Sequence, residues 1–254
     1  MKIKHLPESA KNFNRRVELK YRLNLFQYQK LRIAIQPYMK TDDFTRTAPE
    51  KKYLVRSLYF DTYNYSLNYK KISGKSDRVN FRLRTYSEEM NDHGSIRVEI
   101  KARNANMIEK YGVFVSNTDY CYFMQHGHWI NHVNPILVEF ERYLHLRNLR
   151  PKVLIGFYRE AYEDRMKENL RITFDHKVCS AHADTLFPSI PLFFREHYPL
   201  EIVMEIKFKS AQPLWLKKIV LDHGMKLISN SKFSQGIQLA RQDLIYPNGV
   251  VIYR

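Results

Sequence analysis

The sequence predicts an α+β protein: an antiparallel β barrel of about eight strands with a basic lumen, covered by helices. Two patterns lead there. Eight stretches alternate apolar and polar residues with period 2, and one face of nearly every stretch is charged, mostly with Arg and Lys. Between them, six segments keep apolar residues at helical spacing, several opened by Asn, Pro or Ser where caps belong.

Taken in order, the first strand is expected at 15–22 (RRVELKYR), which sets Arg16, Glu18, Lys20 and Arg22 against Val17, Leu19 and Tyr21. A helix at 24–38, a strand at 53–61 (YLVRSLYFD) and a helix at 64–72 follow. Strand 78–86 (RVNFRLRTY) places Arg78, Asn80, Arg82 and Arg84 on one face and Val79, Phe81, Leu83 and Thr85 on the other. Strand 95–103 repeats the pattern with Arg97, Glu99, Lys101 and Arg103 against Ile96, Val98, Ile100 and Ala102. Strand 108–115 and helices at 117–126 and 135–148 come next. Strands 152–163 and 169–176 carry Arg159 and Arg171, and 201–209 sets Glu201, Glu205, Lys207 and Lys209 against Ile202, Met204, Ile206 and Phe208. Helices at 213–224 and 232–244 end the series. No repeat, low-complexity tract or Gly/Ser linker divides the chain, so 1–254 reads as one domain.

A solvated sheet face would explain alternation strand by strand, but such a face usually mixes Ser, Thr, Gln and both signs of charge. Repeated Arg and Lys with isolated Glu fit better if the apolar faces point outward under helices and the charged faces line a lumen. Lys and Arg number 42 against 26 Asp and Glu, a formal charge of +16. Two cations about 6 Å apart at an effective dielectric near 20 repel by roughly 3 kcal/mol, so a lumen full of them calls for an anion. Guanidinium groups suit phosphate oxygens bidentately and Lys adds point charges, which favours a chain of phosphates over a carboxylate or a sugar. Glu18, Glu99 and Glu205 are the candidates to hold a divalent ion, Mg²⁺ or Mn²⁺, bridging phosphate oxygens.

Other signals carry less. The two cysteines, Cys121 and Cys179, form no CxxC pair and read as ordinary buried or half-buried thiols, which argues against a disulfide scaffold or structural zinc. No apolar run of about 18 residues and no leader-like h-region occurs, so a cytoplasmic chain is expected, peripheral to a membrane at most, with room for a membrane-protein partner. SGKSD at 73–77 lacks the first Gly of a P-loop, Tyr69 standing in its place, and reads as a turn. HGHWINH, with His126, His128 and His132, has no nearby carboxylate or cysteine in sequence and reads as a polar surface loop. Tyr59, Tyr63, Tyr65 and Tyr69 are assigned to core packing rather than nucleic-acid stacking. Glu160 falls on the face opposite Arg159 and is expected to meet solvent or a covering helix.

The stretches RVELKYRL, SLYFDTYNYSLNYKK, NFRLRTY, RVEIKAR, FYREAYE, LRITFD, VMEIKFK and KFSQG, in this order, resemble the VTC domain. That domain is the polyphosphate polymerase branch of the CYTH-like triphosphate tunnel metalloenzymes. The resemblance runs from about residue 13 to about 243. It implies a tunnel binding triphosphate and polyphosphate, a divalent metal, usually Mn²⁺, and transfer of the terminal phosphate of ATP to a growing polyphosphate chain. Matched by motif, Lys20, Arg82, Arg84, Lys101, Arg159 and Arg171 would contact phosphates, Glu205 would ligate the metal, and Lys232 with Ser234 would hold phosphate; Arg22, Arg78 and Lys207 share the basic faces. Two departures matter. The first strand reads RxExK rather than ExExK, which disfavours a two-metal triphosphatase, and KFSKY is replaced by KFSQG, so Gln235 stands where a second lysine is usual. The chain also lacks the phosphate-sensing and membrane segments of eukaryotic members and so resembles a stand-alone prokaryotic form. The alternatives are a polyphosphate-binding module without turnover, or a tunnel triphosphatase; nucleic-acid binding explains the charge but not the strand periodicity.

Overall fold

The computed structural model describes residues 17–91, 95–104, 107–130, 133–166, 170–209 and 211–240; Arg16, His132 and 241–244 lie outside the described residues. Alternation becomes strand wherever it was read. β1 (Val17–Leu23), β3 (Tyr53–Asp61), β4 (Arg78–Thr85), β5 (Ile96–Asn104), β6 (Met107–Val115), β7 (Arg150–Asp164), β8 (Arg171–Ala181) and β10 (Ile202–Phe208) are the eight expected strands. β2 (Met39–Thr41) and β9 (Arg195–Glu196) are short additions that pair with β7 and β8. All ladders are antiparallel, in the order β1-β10-β8-β7-β3-β4-β5-β6.

Helices α1 (Leu25–Ile35), α3 (Ser66–Ile72), α4 (Asn117–His126), α5 (Pro135–Leu146), α6 (Leu214–Asp222) and α7 (Lys232–Ala240) match the six helical segments; α2 (Asp43–Thr47) is added. The cap residues act as expected. Asn24 and Ser116 form reciprocal capping boxes with Gln27 and Asp119, and Asn134 precedes a proline at the first turn of α5.

The convex face is the main core. Phe81, Leu83, Val98 and Ile100 pack under α4 and α5, where Phe140 meets Phe60 and Phe81 edge-on at 5.4 Å. Ile172, Phe174, Met204 and Ile206 pack under α1 and α6. Glu160 belongs here: buried beneath α1, it accepts hydrogen bonds from Tyr28 Oη (2.5 Å), Arg32 Nε (2.9 Å) and Tyr162.

Two features depart from a closed barrel wrapped by helices on the outside. Among the described residues no ladder joins β1 to β6. The free edge of β1 is taken instead by the segment before α7, through a Tyr21–Leu227 bridge and the Ile228 N–H donating to the Lys20 carbonyl at 2.9 Å. The sheet is therefore a trough open between β1 and β6. Second, α7 packs on the concave side, where Phe233 and Ile237 meet Val55, Val153, Ile155 and Val178. The inward faces of β3 and β7 are apolar where α7 covers them, at Val55, Val153 and Ile155. Gly236 permits the approach, since a Cβ there would stand 3.1–3.3 Å from Ile155 and Val153 side-chain atoms.

Candidate functional site

Period-2 alternation in a curved sheet directs the charged set of each strand into one space, a cavity of about 980 Å³. Among the described residues its walls carry twelve Lys and Arg but only four Glu. Glu18 and Lys20 enter from β1, Arg82 and Arg84 from β4, Arg97, Glu99 and Lys101 from β5, and Lys110 from β6. Arg159, Arg171, Glu205 and Lys207 come from β7, β8 and β10, and the start of α7 adds Ser231 and Lys232. That helix thus offers its positive end to the cavity.

Part of this charge is braced. Glu99 accepts from Arg82 Nε at 2.6 Å and lies 3.6 and 3.8 Å from the Nε atoms of Arg84 and Arg97. Burial opposes ionisation of Glu99, but Arg82 and Arg84 outweigh it and hold the carboxyl well below the usual range. Arg82 also donates to Tyr59 Oη at 2.7 Å, and Arg84 to Ser57 Oγ at 3.0 Å. Gly112 leaves room for Arg97, whose Nε would lie 2.9 Å from a Cβ at that position.

A second brace lies opposite. Fully buried Asp175 receives Arg159 bidentately at 2.7 and 2.8 Å and lies 2.6 Å from Lys232 Nζ. Glu205 is shared by Lys207 (2.8 Å), Lys232 (3.4 Å) and Lys20 (3.6 Å). Lys20 also reaches Glu18 at 3.0 Å and donates to the Asn230 carbonyl at 3.0 Å. Burial and the nearby Glu205 push the Glu18 carboxyl up, yet Lys101, Lys20 and Lys207 bring it to about 2.

Four ammonium groups remain outside this bracing. Among the described residues Lys71, Lys101, Lys110 and Lys209 lie beyond ion-pair distance of any carboxylate. Burial, followed by repulsion from Lys101, Lys20, Arg78 and Arg82, pushes Lys71 down to about 7. Surrounding protein and the charges of Lys101 and Lys207 push Lys110 down to about 7 as well, although its side chain keeps more contact with water. Lys101 is lowered by burial despite Glu18. Positive charge without a counter-charge is the dominant electrostatic property of the cavity.

Of the residues selected from sequence, Lys20, Arg82, Arg84, Lys101, Arg159, Arg171, Lys207 and Lys232 line the cavity together with Glu18, Glu99 and Glu205. Three do not. Arg22 pairs with Glu201 at 2.9 Å and lies over the Tyr198 ring; its strand face is right, but it stands at the far end of β1. Arg78 is cross-strand from Arg103 at the entry of β4 and does not line the cavity, although its charge reaches Lys71. Ser234 stands in the first turn of α7, its N–H donating to Ser231 Oγ at 3.2 Å and its own Oγ accepting from Ser231 at 3.1 Å. Gln235 also faces away, its amide contacting His197 Nδ1 at 3.1 Å and Tyr198 Oη at 3.3 Å.

Sequence reading missed Lys71, Lys110 and the buried brace Asp175, and it sent four tyrosines to the core. Tyr59 is in the core, but its hydroxyl also serves Arg82; Tyr63 and Tyr69 are 86% and 70% exposed, because α3 turns that side of the turn and helix to solvent. Cys121 is likewise exposed on α4. Phe44 of α2, with Tyr53 and Tyr86 at ring distances of 5.7 and 6.2 Å, forms an aromatic wall on the same cavity. No period announces α2, whose Asp42 cap also binds Arg171 at 2.7 Å.

Fold and cavity together define an antiparallel sheet curved around a basic cavity. The family model of the VTC domain matches residues 15–241, and the chain belongs to that family. Among solved structures, a Bacillus halodurans protein provisionally assigned as an adenylate cyclase is similar at 11% identity and a TM-score of 0.54, with 87% of this chain and 95% of that one covered. A Hippeastrum protein provisionally assigned as an adenylyl cyclase, and described as having a dominant triphosphatase activity, is similar at 12% identity and a TM-score of 0.45, with 90% and 99% covered. No curated protein matches the chain.

Proposed function

We propose that the protein is a metal-dependent polyphosphate polymerase that transfers the terminal phosphate of ATP to a growing polyphosphate chain inside the cavity. The observation that supports it most is the set of unpaired lysines, Lys71, Lys101, Lys110 and Lys209, added to a wall of braced guanidinium groups. Such a surface is complete only with a multiply charged anion. Phosphoryl transfer asks for positioning and charge neutralisation rather than covalent help from the protein, and a preorganised basic cavity offers both. Arg82, Arg84 and Arg159, fixed by Glu99 and Asp175, hold phosphate oxygens in place; the unpaired lysines neutralise the remaining charge. Gln235 points at His197 and Tyr198, so its substitution for lysine takes no group out of the cavity.

The donor set fits a divalent ion in part. Glu205 and Glu18 share the ammonium group of Lys20, Glu205 also holds Lys207, and these ammonium groups can turn to phosphate when a cation takes the carboxylates. Glu99, engaged by three guanidinium groups, does not fit that role. Mn²⁺ or Mg²⁺ bound there would neutralise phosphate charge. The aromatic wall of Phe44, Tyr53 and Tyr86 gives the nucleobase of ATP a surface to rest on.

Incubation of the protein with ATP and Mn²⁺ should yield ADP and polyphosphate on a gel, and Arg82→Ala with Arg84→Ala should abolish both while the far-UV circular dichroism persists. Orthophosphate without polymer would identify a triphosphatase, and binding without turnover a polyphosphate-binding module; either outcome would overturn the polymerase reading.

A further inference from the structure

The HGHWINH motif is a sequence signal that the cavity does not absorb, and the fold supplies what the motif lacks. Gly127, in the left-handed region at φ 74°, ends α4 and sends the chain back toward α5. The turn brings His128 to Glu141, with Nδ1 2.8 Å from Oε1. Glu141 and His145 are i and i+4 on α5, hence on one face of that helix. One ligand atom from each of His128, Glu141 and His145 lies within 4.8 Å of the others. The motif lies at the surface as expected, and the carboxylate missing from its sequence neighbourhood arrives from a different element.

Two further contacts organise the cluster. Glu141 is fixed by the Trp129 N–H, which donates to Oε2 at 3.0 Å, and Trp129 is itself fully buried against Phe123 at 3.8 Å. His145 places Nε2 3.0 Å from the Gly127 carbonyl oxygen. Since a carbonyl only accepts, Nε2 carries the proton and Nδ1 keeps its lone pair; the His128 and His145 rings lie stacked, centroids 4.8 Å apart at 27°, so one ring must turn for both to hold a single ion. Metal-bound histidines are characteristically oriented by this kind of outer hydrogen bond.

We propose that His128, Glu141 and His145 form a zinc site, with two nitrogens and one carboxylate oxygen as ligands and water in the fourth position. The nitrogen-rich set suits Zn²⁺ better than the Mg²⁺ or Mn²⁺ expected at the oxygen ligands of the cavity. Zinc replaces the His128–Glu141 hydrogen bond and cross-links the end of α4 to α5, the two helices that cover β4 and β5. The site lies outside the cavity lining, so it stands or falls apart from the polymerase reading.

The test is titration of chelator-stripped protein with Zn²⁺ against a chromogenic indicator, with calorimetry for stoichiometry. One high-affinity equivalent is expected, weakened about tenfold or more in His145→Ala and in His128→Ala. His126→Ala should leave it unchanged, because that ring is turned to the Tyr122 carbonyl, with Nδ1 at 3.0 Å. These exposed positions should leave the fold intact, and the unfolding temperature of each metal-free variant checks that. X-ray absorption should show only nitrogen and oxygen ligands, with imidazole scattering lost in the histidine variants. No high-affinity equivalent, or one that survives both His128→Ala and His145→Ala, would overturn the proposal.

Discussion

Lys71 shows what one residue adds to the cavity. Its ammonium has no carboxylate partner and is pushed down to about 7, first by burial and then by neighbouring cations. At pH 6 it is charged, and at pH 8.5 it is mostly neutral unless an anion restores its proton. Binding of long polyphosphate, whose inner groups stay ionised throughout this range, should therefore weaken as pH rises. The loss should be on the order of tenfold for each such lysine, with proton uptake on binding near pH 8. Lys71→Met should flatten the profile measured by calorimetry in two buffers; an unchanged profile would remove Lys71 from the site. The lumen residues of β4 and β5 were legible because alternation fixes their side with no knowledge of the rest of the fold. Lys71 was not, since a lysine at the end of a helix points wherever the helix happens to dock. Asp175 was hidden for a different reason: next to Arg159 across β7 and β8, it is visible only when the register of that pair is known.

At the scale of elements, α7 decides the shape of the site. Sequence periodicity located it but could not say which side of the sheet it covers, because Phe233 and Ile237 would suit either face. Gly236 carries the distinction: it is the contact point with Val153 and Ile155. Gly236→Leu should lift α7 from β7, costing about 1–3 kcal/mol of stability by overpacking and withdrawing Lys232 from Asp175 and Glu205. A lowered unfolding temperature together with weakened polyphosphate binding is the expected result. Gln235→Lys, by contrast, should not tighten binding, since the side chain at 235 faces His197 and Tyr198. α3 is placed by a different device. Asp61 accepts from the backbone N–H groups of Leu67 and Asn68, both at 2.9 Å, and so caps a helix whose preceding Tyr65 has φ 57°. The short elements α2, β2 and β9 escaped notice because two to five residues cannot display a period.

For the whole molecule, the relevant quantity is charge held in one place. The formal +16 of the chain would matter little if spread over the surface, where salt screens it within about 8–10 Å. Among the described residues, twelve cations facing four glutamates in one cavity are screened far less, and their mutual repulsion works against the folded state. A ligand that neutralises them should stabilise the fold by binding the native state alone, by about 2.7 kcal/mol at a hundred times its dissociation constant. For a chain of this size that corresponds to a rise of roughly 5–10 °C in unfolding temperature. Tripolyphosphate should produce this shift, and sodium chloride at equal ionic strength should not, because screening lacks the geometry that braced guanidinium groups impose on phosphate oxygens. The Arg82→Ala, Arg84→Ala variant should lose most of the shift. If chloride and tripolyphosphate raised the unfolding temperature equally, the cavity would be relieving its own charge rather than recognising phosphate.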